Sequence, residues 1–287
     1  MSIGDRPARA ESRPDSGHAS LVAFTSLAIA GAGIVVAAAW LGLASHRPLP
    51  AAFAAGALLI AAGLVVSLAH LGQKSRAGLV ARGGGRSPLS NEAIGAVIAL
   101  ACAGLAALLG ILGDPGPGAN ALAGLTSAVF LLSIGLVYRW RGQLTWHGFT
   151  VVTPLTGGCA FGAIAVQSLA FGGDVRSATL LLVAIDALVF SQRWREAAAI
   201  DIPYALATGR WWPHRIQWLG ARFFLLDALP FLLLVKWSTP LAVVFAAAGL
   251  VLDRIAFYVF AVQHTTEHEV AAIEDLIHMG SDSTGRV

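Results

Sequence analysis

Residues 21–44 read LVAFTSLAIAGAGIVVAAAWLGLA and contain no charged residue and no proline. In hydrocarbon every backbone N–H and C=O must be satisfied within the protein. A run of this length is therefore read as a membrane-crossing helix, for which about 20 apolar residues suffice. It is too long for a signal-peptide core, and no small-residue cleavage site follows it. Working outward, further runs are expected to span at 51–70, 93–113, 119–138, 151–171, 177–194, 219–235 and 240–262. The expected fold is all-α, an integral membrane bundle of about eight transmembrane helices. Residues 1–20, rich in Arg, Pro, Ser and Asp, read as a disordered N-terminal tail. Residues 21–262 form the membrane domain, and 263–287 a polar C-terminal tail.

Composition points the same way. Of 287 residues, 56% are hydrophobic and 12% charged, where soluble domains carry about 25% charged residues. That is too little charge to cover a soluble fold. The strands of an outer-membrane barrel would alternate apolar and polar residues, and these runs do not. Cys102 and Cys159 both sit inside apolar runs, which excludes a disulfide framework, a zinc site or a cysteine-ligated iron–sulfur cluster within the chain.

The cations fall on one face. Eight spans put both termini on one side, here called the N-side. Its tails and loops hold Arg6, Arg9, Arg13, Lys74, Arg76, Arg82, Arg86, Arg139, Arg141, Arg193, Arg195, Arg210, Arg215 and Arg286. The opposite side holds Arg47, Arg176 and Lys236, while Arg222 and Arg254 lie within spans. The positive-inside rule makes the N-side cytoplasmic. N-side connections (71–92, 139–150, 195–218) are also longer than those opposite (45–50, 114–118, 172–176, 236–239). They carry Trp140, Trp146, Trp211, Trp212 and Trp218, which suit either an interfacial belt or a partner surface.

His70 ends the second run and Glu92 opens the third, after Ser90 and Asn91. A histidine and a carboxylate at one membrane depth suit a quinone headgroup: one hydrogen-bonds a quinone oxygen and the pair relays its proton. Ser90 as N-cap with Glu92 in the first turn also accounts for the acid through the helix dipole. Spacing alone does not choose between these readings.

Asp186, Asp227 and Asp253, with Arg222 and Arg254, are ionisable at membrane depth, where such groups face the bundle interior and pair. With two arginines for three aspartates, they read equally as helix–helix pairs or as a proton path through Asp253, Arg254 and Asp227. Acids at this depth also suit a small-molecule transporter or channel without a redox partner, although no inverted repeat or broken-helix pair appears. None of the eight histidines lies mid-span, which argues against a buried b-type haem. His264-Thr-Thr-Glu267-His268 spells an inverted zinc-protease pattern, but its strongly mixed charge reads better as a solvated amphipathic tail. Gly83-Gly84-Gly85-Arg86 lacks the lysine of a phosphate loop and reads as a flexible basic loop.

The run His70-Leu-Gly-Gln-Lys-Ser-Arg76-Ala77, continued by Ser87-Pro-Leu-Ser-Asn-Glu92, resembles the signature of the dimethyl sulfoxide reductase membrane-anchor family (DmsC-like). Tyr138 and Trp146 ahead of Thr153-Pro154-Leu155, and Arg254-Ile-Ala-Phe257-Tyr258 in the last run, agree with it. The resemblance implies an anchor that binds quinone or quinol, without haem or cluster of its own. It implies two partners, a ferredoxin-type iron–sulfur subunit and a molybdopterin catalytic subunit, besides membrane lipid and with no nucleic acid. It places His70 and Glu92 at the quinol site as the proton-exchanging pair. Arg76 and Tyr138 complete the expected quinone-binding set, and Lys74, Arg76, Arg139 and Arg141 the expected docking set. The last run departs from the family, since Gly249-Leu-Val-Leu-Asp253-Arg254 sets a carboxylate next to the arginine. The expected location is a bacterial inner membrane, multi-pass, with both termini cytoplasmic. The reductases that typify the family face the other way.

Overall fold

The computed structural model describes residues 16–45, 49–70, 88–113, 116–137, 148–170, 175–208, 213–236 and 239–259. These form α1 (Ser16–Ser45), α2 (Pro50–His70), α3 (Pro88–Ile111), α4 (Pro117–Val137), α5 (Thr153–Ala170), α6 (Arg176–Thr208), α7 (Pro213–Phe223), α8 (Leu229–Val235) and α9 (Thr239–Val259). A π-helical turn, Phe224–Ala228, joins α7 and α8 into one span. Every expected run is therefore a helix, and the fold is an all-α membrane bundle. Proline opens or nearly opens α2, α3, α4, α5, α7 and α9, where its missing N–H costs nothing and its fixed φ suits the first turn.

Seven helices are long and apolar enough to cross a membrane. The eighth span, α5, has 18 residues with Thr153, Thr156, paired glycines and Gln167 among them. Its side chains can be this mixed because its neighbours, not lipid, surround it. It packs on α1, α4, α6 and α9. The α1–α5 contact is backbone on backbone: a Cβ at Gly33 would run into Gly158, and one at Gly162 into Gly33. Small residues four apart let helices approach this closely, the usual device for holding helices together in lipid. Leu58, Val65, Leu125, Leu188 and Val244 point outward, as side chains facing lipid do.

Four boundaries differ from the sequence expectation by five residues or more, one of them the start of α7 at Pro213 and not at 219. α1 begins at Ser16, inside the stretch read as a tail. α3 begins at Pro88, so Glu92 lies beyond the first turn, which holds no acid. Most consequentially, α6 does not stop at 194. It continues to Thr208 through Arg195-Glu-Ala-Ala-Ala, good helix formers too polar to register as a span. Its 33 residues measure about 50 Å at 1.5 Å per residue, against a hydrocarbon core of about 30 Å. The stretch read as a long N-side loop is thus mostly helix. Glu196, on this extension, accepts a hydrogen bond from the Phe149 N–H (3.1 Å), tying the short helical turn before α5 to α6.

Candidate functional site

The first expected site lies between α2 and α3. Along α3, Glu92, Ala96, Ala99, Ala103 and Ala106 recur at helical spacing and all are buried. The face is otherwise built of alanine, so the carboxylate is its one charge-bearing group. Glu92 is 2% exposed, and neither carboxylate oxygen has a hydrogen-bond partner among the described residues. A helix N-terminal acid held by the dipole would stand in water at the helix end. This one is inside. Burying a carboxyl group without partners costs free energy, so its placement needs a reason beyond helix capping.

Its depth follows from helix register. α2 and α3 run antiparallel, and a Cβ at Gly110 would lie 2.9 Å from Pro50 Cβ. From that contact Glu92 is about 27 Å along α3 and His70 about 30 Å along α2, at 1.5 Å per residue. The last residue of α2 and the buried acid of α3 thus stand at one level, at the N-side end of both helices. Lys74, Arg76, Tyr138, Arg139 and Arg141 lie outside the described residues. So do the glycine loop at 83–86, the His264–His268 pattern, and Trp140, Trp146, Trp211 and Trp212.

The second expected site is a buried ionic network at the junction of α5, α6, α7 and α9. Arg222 is its centre. Its Nη2 donates to Asp186 Oδ2 (2.7 Å) and its Nη1 to Asp227 Oδ2 (2.5 Å). Its Nε lies 3.5 Å from Asp253 Oδ1. Arg193 Nη1 donates to the same Asp253 Oδ1 (2.5 Å), and Arg254 grips Asp253 Oδ2 through Nε (3.0 Å) and Nη2. Thr156 Oγ1 of α5 donates to Asp186 Oδ1 (2.6 Å). The Arg222 guanidinium also lies 4.2 Å from the centre of the Phe190 ring, and that of Arg254 4.9 Å from the centre of Phe257. All six charged side chains are buried.

Arg193 corrects the sequence reading. Assigned to an N-side loop, it lies inside α6 and is buried, so three arginines meet three aspartates and no aspartate is left over. The signal was in the sequence. Asp186, Phe190 and Arg193 stand at i, i+4 and i+7, one face of one helix. The Arg222–Asp227 pair carried no such signal. Residues five apart do not share a face of an α-helix, and the π turn between them, one residue longer per hydrogen bond, brings them together. Pro230, which cannot donate to the ladder and crowds the preceding turn, sits just past this bulge. α9 approaches it through Gly249, where a Cβ would stand 2.6 Å from Leu226 N.

A family model described as DMSO reductase anchor subunit (DmsC) matches residues 16–202. The chain belongs to that family. It is a multi-pass membrane protein and, as a DmsC-family chain, a membrane anchor subunit of the DMSO reductase type. A search of curated proteins returned no match. The matched region of this DmsC-family anchor runs from the start of α1 into α6. It takes in the His70–Glu92 motif, Thr153-Pro154-Leu155, Asp186 and Arg193. Arg222, Asp227 and the Asp253-Arg254 pair lie beyond it, so the ionic network joins α5 and α6, within the matched region, to α7 and α9 outside it.

Proposed function

We propose that this chain is the quinone-reactive anchor of a molybdopterin oxidoreductase, and that it exchanges electrons between an iron–sulfur partner and the quinone pool. The observation that carries the reading is Glu92: a buried carboxyl group with no partner among the described residues, level with His70 at the N-side end of adjoining helices. Such a group is stabilised when a ligand hydroxyl or carbonyl supplies the missing hydrogen bonds. Oxidation of one quinol releases two electrons and two protons. The electrons leave to the partner, and His70 and Glu92 take the protons from the headgroup oxygens and pass them to N-side water. Reduction of quinone runs the same steps backwards. Arg76 and Tyr138, by position in the motif, close the headgroup site. Lys74, Arg76, Arg139 and Arg141, on the basic N-side loops, seat the iron–sulfur subunit.

The basic N-side faces the cytoplasm in this reading. Electrons and quinone protons then share one compartment and turnover is electroneutral.

His70→Ala and Glu92→Gln are expected to lower quinol-linked turnover at least tenfold, with complex assembly and artificial-dye activity retained. Normal quinol turnover in both variants overturns the site. Co-purification tests the wider reading. A cluster-bearing subunit should come down with the chain, whereas a transporter would purify alone.

A further inference from the structure

The short helical turn Gly148–Val151 packs on α4, α5 and α6. Its hold on α6 is double. The Phe149 N–H donates to Glu196 Oε2 (3.1 Å). About 15 Å back along α6, Asp186 Oδ1 receives Thr156 Oγ1 (2.6 Å). Between these points the backbone is hydrogen-bonded throughout. Val152 N–H donates to Phe149 O (3.0 Å), and Val152 O receives the N–H groups of Leu155 (3.0 Å) and Thr156 (3.1 Å). Residues 149–156 are thus a strap pinned to α6 at both ends.

Between its pins the strap bears on α4. A Cβ at Gly135 would run into the backbone of Val151, so the two main chains meet with no side chain between them. Another face of α4 meets α3: a Cβ at Gly95 would stand 3.6 Å from Phe130 Cδ2 and 3.6 Å from Ser133 Oγ. α3 and α4 run antiparallel, and Glu92 lies one turn before Gly95 on the same side of α3. The level of α4 that faces Glu92 is therefore one turn past Phe130 and Ser133, at 134–137. Ile134 and Gly135 are buried there. This is the last turn of α4, the part of a helix that opens most readily unless something holds it.

We propose that Glu196 is a positioning residue of the quinol site: through the strap it holds the last turn of α4, the wall that faces Glu92. This deepens the reading of Glu92 as a quinol-site residue and rests on it. Glu196 acts through two contacts, its hydrogen bond to Phe149 and the seat of Val151 on Gly135. A loosened wall weakens the grip on the headgroup, and misplacement by about 1 Å is enough to be felt in turnover.

Steady-state kinetics of the assembled complex test this. Glu196→Ala should raise the quinol KM at least threefold, with kcat within twofold of wild type and artificial-dye activity unchanged. Glu196→Gln keeps a carbonyl acceptor for the Phe149 N–H and should restore the KM. An unchanged KM in Glu196→Ala overturns the proposal, as does a fall in kcat alone, which reports fewer intact complexes. Failure of Glu196→Gln to rescue overturns it too. Hydrogen–deuterium exchange of the full chain in detergent micelles decides should Glu196→Ala fail to assemble. Residues 148–152 and 134–137 should then both exchange faster than in wild type, and faster exchange in 148–152 alone overturns the proposal. Glu92→Gln in the same kinetic assay separates the two readings. Lost turnover there beside an unchanged KM in Glu196→Ala removes the strap and leaves the site. Normal turnover there removes the site and the strap's role with it.

Discussion

Arg222 touches two aspartates by direct hydrogen bonds and approaches a third. Removing one partner of a buried ion pair leaves the other charged and alone, which costs about 3–5 kcal/mol. Arg222→Met should therefore destabilise the folded chain by that order, read by thermal or denaturant unfolding in detergent micelles. Thr156→Val removes a single hydrogen bond to a charged group and should cost less, about 1.5–3 kcal/mol. If the two variants unfolded alike, Arg222 would not be the centre of the junction. Glu92 invites the opposite comparison. Its oxygens have no partner to lose among the described residues, so Glu92→Gln should leave stability nearly unchanged while quinol turnover falls.

Glycines decide how the elements meet, and two of them have opposite consequences when replaced. Gly249 faces the π turn with no room for a Cβ. Gly249→Ala must displace Leu226 and with it the turn that brings Asp227 to Arg222, at a cost of about 1–3 kcal/mol typical of overpacking. Gly104, on α3, has nothing within 4 Å of its would-be Cβ. Gly104→Ala should stabilise by up to about 1 kcal/mol through backbone entropy alone. The same unfolding measurement checks both signs. Gly158, pressed against Ile29 and Leu131 where α1 and α5 cross, is the position where a large side chain such as leucine should abolish folding outright.

At the scale of the whole molecule, the proposed orientation has both chain ends on the cytoplasmic side. A reporter active only outside the cytoplasm should be silent when fused after Val287 and active when inserted between α1 and α2. Activity at Val287 reverses the orientation. The bundle also divides its work. α3 carries buried Glu92 against α2 and α4, while α5, α6, α7 and α9 hold the ionic junction behind α1. The extension of α6 beyond the membrane, tied to the turn before α5 by Glu196, forms part of the N-side face where the partner is proposed to dock.

Eight helices were legible from sequence because hydropathy is a local property. A segment that is apolar for some 20 residues must satisfy its own backbone in lipid whatever its neighbours do. The family resemblance was legible for a similar reason, since the His70–Glu92 motif is contiguous but for one loop. Pairings between helices were not. That Arg193 turns inward, that Pro230 follows a π turn bringing Arg222 to Asp227, and that Glu92 lies buried without a partner among the described residues all depend on which helix faces which. That choice was made by backbone approach at Gly33, Gly158, Gly162 and Gly249, where the absence of a side chain acquires meaning only once the opposing helix is in place.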